Sequence, residues 1–345
     1  MPKVVLPAAS PNQTYVTISA LDAGHLTLPE HLFISDADKT VRATVPSLSF
    51  LIRHPCSTTT TSSSTSPLDN PARGLTNLVF DLGLKRDLTQ YAPAQQAHIA
   101  NRQPTVLAPD CGDSLRAGGL DPAADVDVVL LSHAHWDHVG TAADFAAAAF
   151  VVGPGTLHLL AHGAPPHYPR DIFAGDEVPA GRTRELPPVP GRGADDAARA
   201  APPDRRTAHA WRPLGDGAVF PAVVDLFGDG SVFVVDSPGH LYGHVNLLAR
   251  TGPRKWVFLG GDCCHDPRIL TGEKGIALYD DGHGGLRSVH VDTEAARDTV
   301  GRIRSLLGSA DVVEEGAGVV EMEVIVAHDK VWREKNRDRF WPGKL

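Results

Sequence analysis

An α+β fold, in which strands end in polar loops, is what this sequence predicts from two observations. Apolar runs of strand length recur along the chain, and several of them lead directly into turns rich in histidine or aspartate. Residues 293–307 instead carry Ala296, Val300, Ile303 and Leu307 at helical spacing, so a helix there is expected to lay one face on the sheet as core rather than as a binding surface.

In chain order, Ser49 to Ile52 and Leu78 to Phe80 read as strands, the second leading into Asp81, Leu82 and Gly83. The Ser/Thr tract at 58–66 between them reads as a surface loop. The next run, Val126, Val128, Val129, Leu130 and Leu131, is broken only by Asp127 and passes through Ser132 into His133, Ala134, His135, Trp136, Asp137 and His138. This is a buried strand ending in a loop of metal-ligand residues. Imidazole and carboxylate together suit zinc or a similar first-row metal, and four such groups on one short loop cannot all reach a single ion without strain. The spacing therefore suggests two ions side by side, about 3.5–4 Å apart, an arrangement that recurs in hydrolysis. The other reading is a solvated polar turn, but so dense a set of ligands after an apolar strand argues against it.

Further along, Ser231 to Asp236 forms another apolar strand that runs through Ser237, Pro238 and Gly239 to His240, the natural next ligand. His244 is read either as a partner that orients a ligand or as a polar residue at the start of the following strand. Trp256 to Leu259 ends in Gly260, Gly261 and Asp262, where the glycines let the backbone approach closely and present a carboxylate able to bridge two cations. Val324 to Ala327 ends in His328 and Asp329. Each of these later signals is weak alone, but their joint order is specific, and strands that end in ligands build a site at a sheet edge.

The series His133, His135, Asp137, His138, then His240 after Ser237-Pro238-Gly239, then Asp262 after Gly261, then His328 after Ala327, resembles the two-metal branch of the metallo-β-lactamase superfamily. Asp81 in Asn77-Leu78-Val79-Phe80-Asp81 resembles that family's first motif, and the likeness spans about residues 46–330. Within the superfamily it is most similar to N-acyl-homoserine lactonase-like hydrolases. The resemblance implies a four-layered αββα sandwich with two divalent metal ions, most simply zinc, at the sheet edge. It implies that His133, His135 and His240 hold one ion and that Asp137, His138 and His328 hold the other, with Asp262 and a hydroxide bridging. Asp81 would support the ligand loop from behind, as would His244 if it orients a ligand. Three residues after the bridging aspartate those lactonases carry a tyrosine that assists at the substrate carbonyl, and this chain has His265.

Length and charge bound the remaining possibilities. The ligand residues are spread from 133 to 328 and must meet in space, which favours one domain over 1–345. A formal net charge of −9 repels polyanions, so no nucleic-acid partner is expected. The interrupted N-terminus does not read as a signal peptide and no apolar run is long enough to span a bilayer, which points to a cytoplasmic enzyme without a membrane partner. Cys56, Cys111, Cys263 and Cys264 form neither a metal spacing nor a disulfide framework, and reduced thiols fit that compartment. Cys263 and Cys264 follow Asp262 directly, so either one of them faces the metal pocket or both pack as small hydrophobes. Residues 187–213, rich in Pro, Gly, Ala, Arg and Asp, read as a surface insertion. With Tyr168, Phe173 and Trp211 in or near it, this segment either covers a substrate or is a passive loop.

The expected chemistry is attack of a metal-bridging hydroxide on a carbonyl, with Asp137 relaying a proton and His265 either donating to the substrate or only hydrogen-bonding the ligands. The substrate expected is a small cyclic ester or amide: a lactone, a lactam or a cyclic carbamate. A thioesterase of the glyoxalase or acyl-carrier-protein hydrolase type is the alternative within the superfamily. Outside hydrolysis stand a metal-binding protein without turnover and an iron oxidoreductase.

Overall fold

Two-residue alternation divides the long strands between two cores, and this decides the architecture. The computed structural model describes residues 3–56, 66–201, 209–215, 219–308 and 311–345. One sheet runs in the order β1 (Thr17–Pro29), β2 (Arg42–Pro55), β3 (Leu75–Phe80), β4 (Val128–Leu130), β5 (Ala149–Val152) and β6 (Thr183–Glu185). It is antiparallel from β1 to β3 and parallel from β3 to β6. The second sheet contains β7 (Val223–Asp225), β8 (Val232–Asp236), β9 (Val245–Gly252), β10 (Lys255–Gly260) and β11 (Glu321–Val326) in the order β11-β10-β9-β8-β7. Only its β10–β11 pair is parallel.

Phe50, Leu78, Val128 and Leu130 of the first sheet share one core with Val234, Leu247, Val257 and Leu259 of the second, so the sheets face each other. The alternate residues point outward. Leu51, Val79 and Val129 pack with Ile99, Leu115 and Leu159, which lie on the helices Pro93–Ile99, Cys111–Ala117 and Thr156–His162. Phe233, Leu248 and Phe258 pack with Ala296, Val300 and Ile303 on the helix Thr293–Arg304. Helix, sheet, sheet and helix give four layers, the αββα sandwich that the resemblance implies.

The strands read from apolar runs are present, but Ser49 to Ile52 is only the middle of the strand Arg42–Pro55, and those read from Leu78 and Val324 begin earlier, at Leu75 and Glu321. The expected helix is shorter than 293–307: it ends at Arg304. Beyond that point helical spacing no longer governs, so Leu306 is buried in the core while Leu307 is 42% exposed. Residues 58–65 of the Ser/Thr tract lie outside the described residues. Among the described residues no helix is long and apolar enough to cross a membrane.

Register brings the polar ends together. Phe80 pairs with Leu130 and Gly260 with Val326, so Asp81 leaves its sheet beside Leu131, and Asp262 leaves its own beside His328. The two rims are then joined by Val245 N–H donating to Ser132 O at 2.8 Å and Leu48 N–H to Ala327 O at 2.9 Å.

Candidate metal centre

The loop after β4 is held from behind by Asp81. Its backbone is left-handed, with φ +60°, an uncommon state for a residue with a side chain. That turn aims the carboxylate at the loop, where it accepts from Ser132 N–H at 2.6 Å and Ser132 Oγ at 2.7 Å, and lies 2.8 Å from His138 Nδ1. Tyr91 pins the loop's other side by donating to the Trp136 carbonyl at 2.7 Å. Gly261 is required by the same crowding, because a Cβ there would lie 2.5 Å from Ser132 Oγ.

Two groups of buried ligand atoms result, His133, His135, His240 and Asp262 in one and Asp137, His138, His328 and Asp262 in the other. In the first, His135 Nδ1 is 3.0 Å from His133 Nε2 and 2.9 Å from His240 Nε2, and Asp262 Oδ2 is 3.7 and 3.5 Å from those same two nitrogens. In the second, Asp262 Oδ1 is 3.1 Å from both His138 Nε2 and His328 Nε2, and Asp137 Oδ2 is 3.9 and 3.6 Å from them. The two oxygens of Asp262 thus face different groups. All seven residues named in advance as ligands come together here.

The donor set fits metal ions by two tests. Ligands about 2.0–2.1 Å from a tetrahedral ion lie about 3.4 Å from one another, and the distances above bracket that value. The ring nitrogens facing the second group, His138 Nε2 and His328 Nε2, are buried without hydrogen-bond partners, as is Asp262 Oδ1. Their opposite nitrogens are occupied: His138 Nδ1 by Asp81, and His328 Nδ1 by the Pro46 carbonyl at 2.7 Å. That fixes which atom of each ring is free for a metal.

Electrostatics point the same way. Burial, reinforced by the charges of neighbouring histidines, holds His133 and His240 well below the usual imidazole range, and burial does the same for His135, leaving neutral rings with lone pairs to give. Burial would also hold His138 down, yet Asp262, Asp81 and Asp137 together push it well above its ordinary value. Burial would raise the Asp262 carboxyl, but His138, His328 and His265 hold it well below the carboxylate range. Among the described residues no lysine or arginine pairs with Asp81, Asp137 or Asp262. The three buried carboxylates call for positive charge that divalent cations would supply.

A cavity of about 490 Å³ opens onto both groups, reached by His135, Asp137, His240, Asp262 and His328. His265 also lines it, 7% exposed, with Nε2 at 3.2 Å from Asp262 Oδ2 and its ring against Phe33. His244 donates to or accepts from nothing on a ligand ring; its Nδ1 lies 3.0 Å from the Ser237 carbonyl. The residue behind a ligand is instead His290, buried, with Nδ1 at 3.1 Å from His240 Nδ1. Sequence reasoning passed over it: a lone histidine two residues before the helix cap Asp292 carries no ligand spacing. Cys263 and Cys264 pack into the core of the second sheet's outer face and do not line the cavity.

The described part of 187–213 does not line this cavity either. Its helix Ala194–Arg199 lies beside a second hollow bounded by Arg192, Tyr242 and Thr293. Trp211 donates to the Pro187 carbonyl at 2.6 Å and packs on the inter-sheet core, and Phe173 is core. Tyr168 alone of the three aromatics reaches the cavity, its ring 4.5 Å from that of His135. The walls come from β1, through Leu26 and Leu28, and from the short hairpin Tyr279–Asp280 with Leu286–Arg287.

The family model that matches, over residues 110–306, is that of the metallo-beta-lactamase superfamily. A gamma-lactamase, MBL2, of Gibberella moniliformis is 31% identical over 196 residues, 54% of this chain and 70% of the relative. The cytochrome P450 monooxygenase mpaDE of Penicillium brevicompactum is 27% identical over 97% of this chain but only 36% of its own length. The chain thus spans about a third of the first curated relatives it matches. Among solved structures, an N-acyl homoserine lactone hydrolase with N-hexanoyl-L-homoserine at its catalytic metal centre superposes with a TM-score of 0.58, at 13% identity and over 99% of this chain and 100% of the other. At that identity the likeness concerns the fold.

Proposed function

The chain belongs to the metallo-beta-lactamase superfamily, and from that premise we propose that it is a dinuclear metallo-hydrolase that opens a small cyclic ester or amide. The observation that carries this reading is Asp262, whose two oxygens face two separate groups of ligands at the floor of one cavity. Similarity to a gamma-lactamase supports a cyclic amide, and a cyclic ester or carbamate presents the same reacting carbonyl.

Two divalent ions, most simply zinc, would supply Lewis acidity and a water whose pKa falls to about 7. The chain's own groups do the rest. Water adds to the carbonyl carbon, the ring carbon–oxygen or carbon–nitrogen bond breaks, and the leaving atom must gain a proton. Asp137, which burial pushes toward its protonated form, lies at the cavity wall and is our candidate for that relay. His265 would hold the substrate oxygen by hydrogen bonding from the other side of Asp262. Leu26, Leu28, Phe33 and Trp136 exclude bulk water, which strengthens these polar contacts.

Metal-loaded protein assayed on lactones, lactams, cyclic carbamates and thioesters tests the reading, alongside elemental analysis. We expect close to two ions per chain, turnover of at least one cyclic substrate, and loss of both ions with activity in Asp262→Ala. Faster thioester turnover, or two bound ions with no hydrolysis anywhere in the panel, would overturn it.

A further inference from the structure

The charge of the cavity is opposite to that of the molecule. In a chain of net charge −9, its wall holds two arginines, Arg102 and Arg287, and among the described residues its only acidic groups are Asp137 and Asp262, both already facing the ligand groups. Several arginines of this protein sit on carboxylates, as Arg268 does on Asp266, Arg333 on Asp22 and Arg339 on Glu323, and others are met by backbone carbonyls, as Arg304 is by Leu270 and Ile269. Among the described residues Arg102 and Arg287 have no such partner. Arg287 Nε is buried with no hydrogen bond at all, and Arg102 makes a single long one, from Nη1 to the Asn101 carbonyl at 3.4 Å. A half-buried guanidinium without a counter-charge is costly unless something arrives to meet it.

Their placement is shared. The Arg287 guanidinium lies over the Tyr279 ring at 5.4 Å and that of Arg102 over the Phe33 ring at 5.8 Å, which leaves N–H groups at the edge of each fork to meet an anion. Both act on one phenol: burial raises Tyr279, and Arg287 and then Arg102 draw it back. Phe33 in turn packs its ring, tilted by 47°, 4.7 Å from that of His265, which touches Asp262. Arg102 and Arg287 thus line the same cavity as the ligand groups, with Phe33 between Arg102 and His265.

Resting on the hydrolase reading above, we propose that Arg102 and Arg287 form a carboxylate-binding subsite, and that the substrate is a cyclic ester or amide bearing a carboxylate away from the bond to be cleaved. Guanidinium forks take carboxylates in paired hydrogen bonds, and a cavity of about 490 Å³ has room for a ring with such a substituent. The charge would anchor the far end and leave the carbonyl at Asp262.

The test uses a matched pair on metal-loaded protein: a five-membered lactone with a carboxymethyl substituent and its neutral N-methylamide, assayed for turnover, with the two corresponding cyclopentanones, which cannot be hydrolysed, titrated by calorimetry. The charged member should bind on the order of 10- to 100-fold more tightly, and added salt should shrink the gap. Arg102→Gln and Arg287→Gln, checked for metal content and melting temperature, should each bring that ratio toward one. Equal affinities in the unaltered protein, or a ratio that neither variant moves, would overturn the subsite even if both lactones were hydrolysed. A clear charged-over-neutral ratio with no turnover of either would leave the subsite standing and remove the hydrolase reading.

Discussion

His265 and His290 flank His240, with ring centroids 5.1 and 5.0 Å away, but one faces the cavity and the other faces the protein. The difference separates their expected effects. His265→Ala should keep both ions and lower kcat by roughly 10²-fold, the lower end of what a positioned donor contributes. A variant that loses metal would make His265 a ligand, and one with unaltered rate would make it a bystander. His290→Ala removes the group beside His240 Nδ1, so metal affinity should fall by about 10- to 100-fold, read by competition with a chelator. Undiminished affinity would show that His240 is oriented without it.

At the scale of elements, the site is framed by the pieces that carry its walls, and these are not the ones with the most irregular sequence. The helix Ala194–Arg199 borders the second hollow, away from Asp262. Replacing residues 194–199 by a Gly/Ser linker should therefore leave metal content unchanged and KM within about twofold, as expected for distant sites. A large rise in KM would return the segment to the substrate path. The helix Thr293–Arg304 works through packing and through Thr299 Oγ1, which donates to the Pro238 carbonyl at 2.8 Å. Its Ile303 is fully buried, so Ile303→Ala should cost about 2–4 kcal/mol in urea unfolding. That helix also presses on the His240 turn, where a Cβ on Gly239, at φ +122°, would lie 2.2 Å from Ala296 N. Loosening it should thus be felt at the metal centre as well.

Across the whole molecule the two sheets are tied at a point away from the metal centre. His54 at the end of β2 stacks on Phe227 at 3.9 Å, and its ring nitrogens lie 2.9 Å from Asp229 and 3.4 Å from Asp69. Burial opposes its charge, but the hydrogen bond to Asp229 and the negative charges of Asp229 and Asp69 win, and the pKa rises to about 9. A raised folded-state pKa means that the tie stabilises fully below the ordinary value near 6.5 and is lost as pH climbs through about 9. Such a shift corresponds to on the order of 3 kcal/mol. Urea unfolding at pH 6 and pH 9.5 should show the native protein weakening between them and His54→Gln nearly level. Parallel slopes for the two would mean that His54 is not the group responsible.

The ligands were legible in the sequence because each follows an apolar run within a few residues, a local pattern, and because the runs with their ligands recur in one specific order along the chain. His133, His135, Asp137, His138, His240, Asp262 and His328 needed no knowledge of distant contacts to be picked out, and the strands beneath them announced a sheet. What lies around those ligands is a matter of register and of packing between layers, which no local pattern records. Only the tertiary structure turned one oxygen of Asp262 to each ligand group, set His290 behind His240 across 50 positions of chain, and brought β1 and the Tyr279–Arg287 hairpin to the wall of the site. A strand's ends follow from its own residues, whereas the wall that faces them is chosen by whichever element the fold carries there.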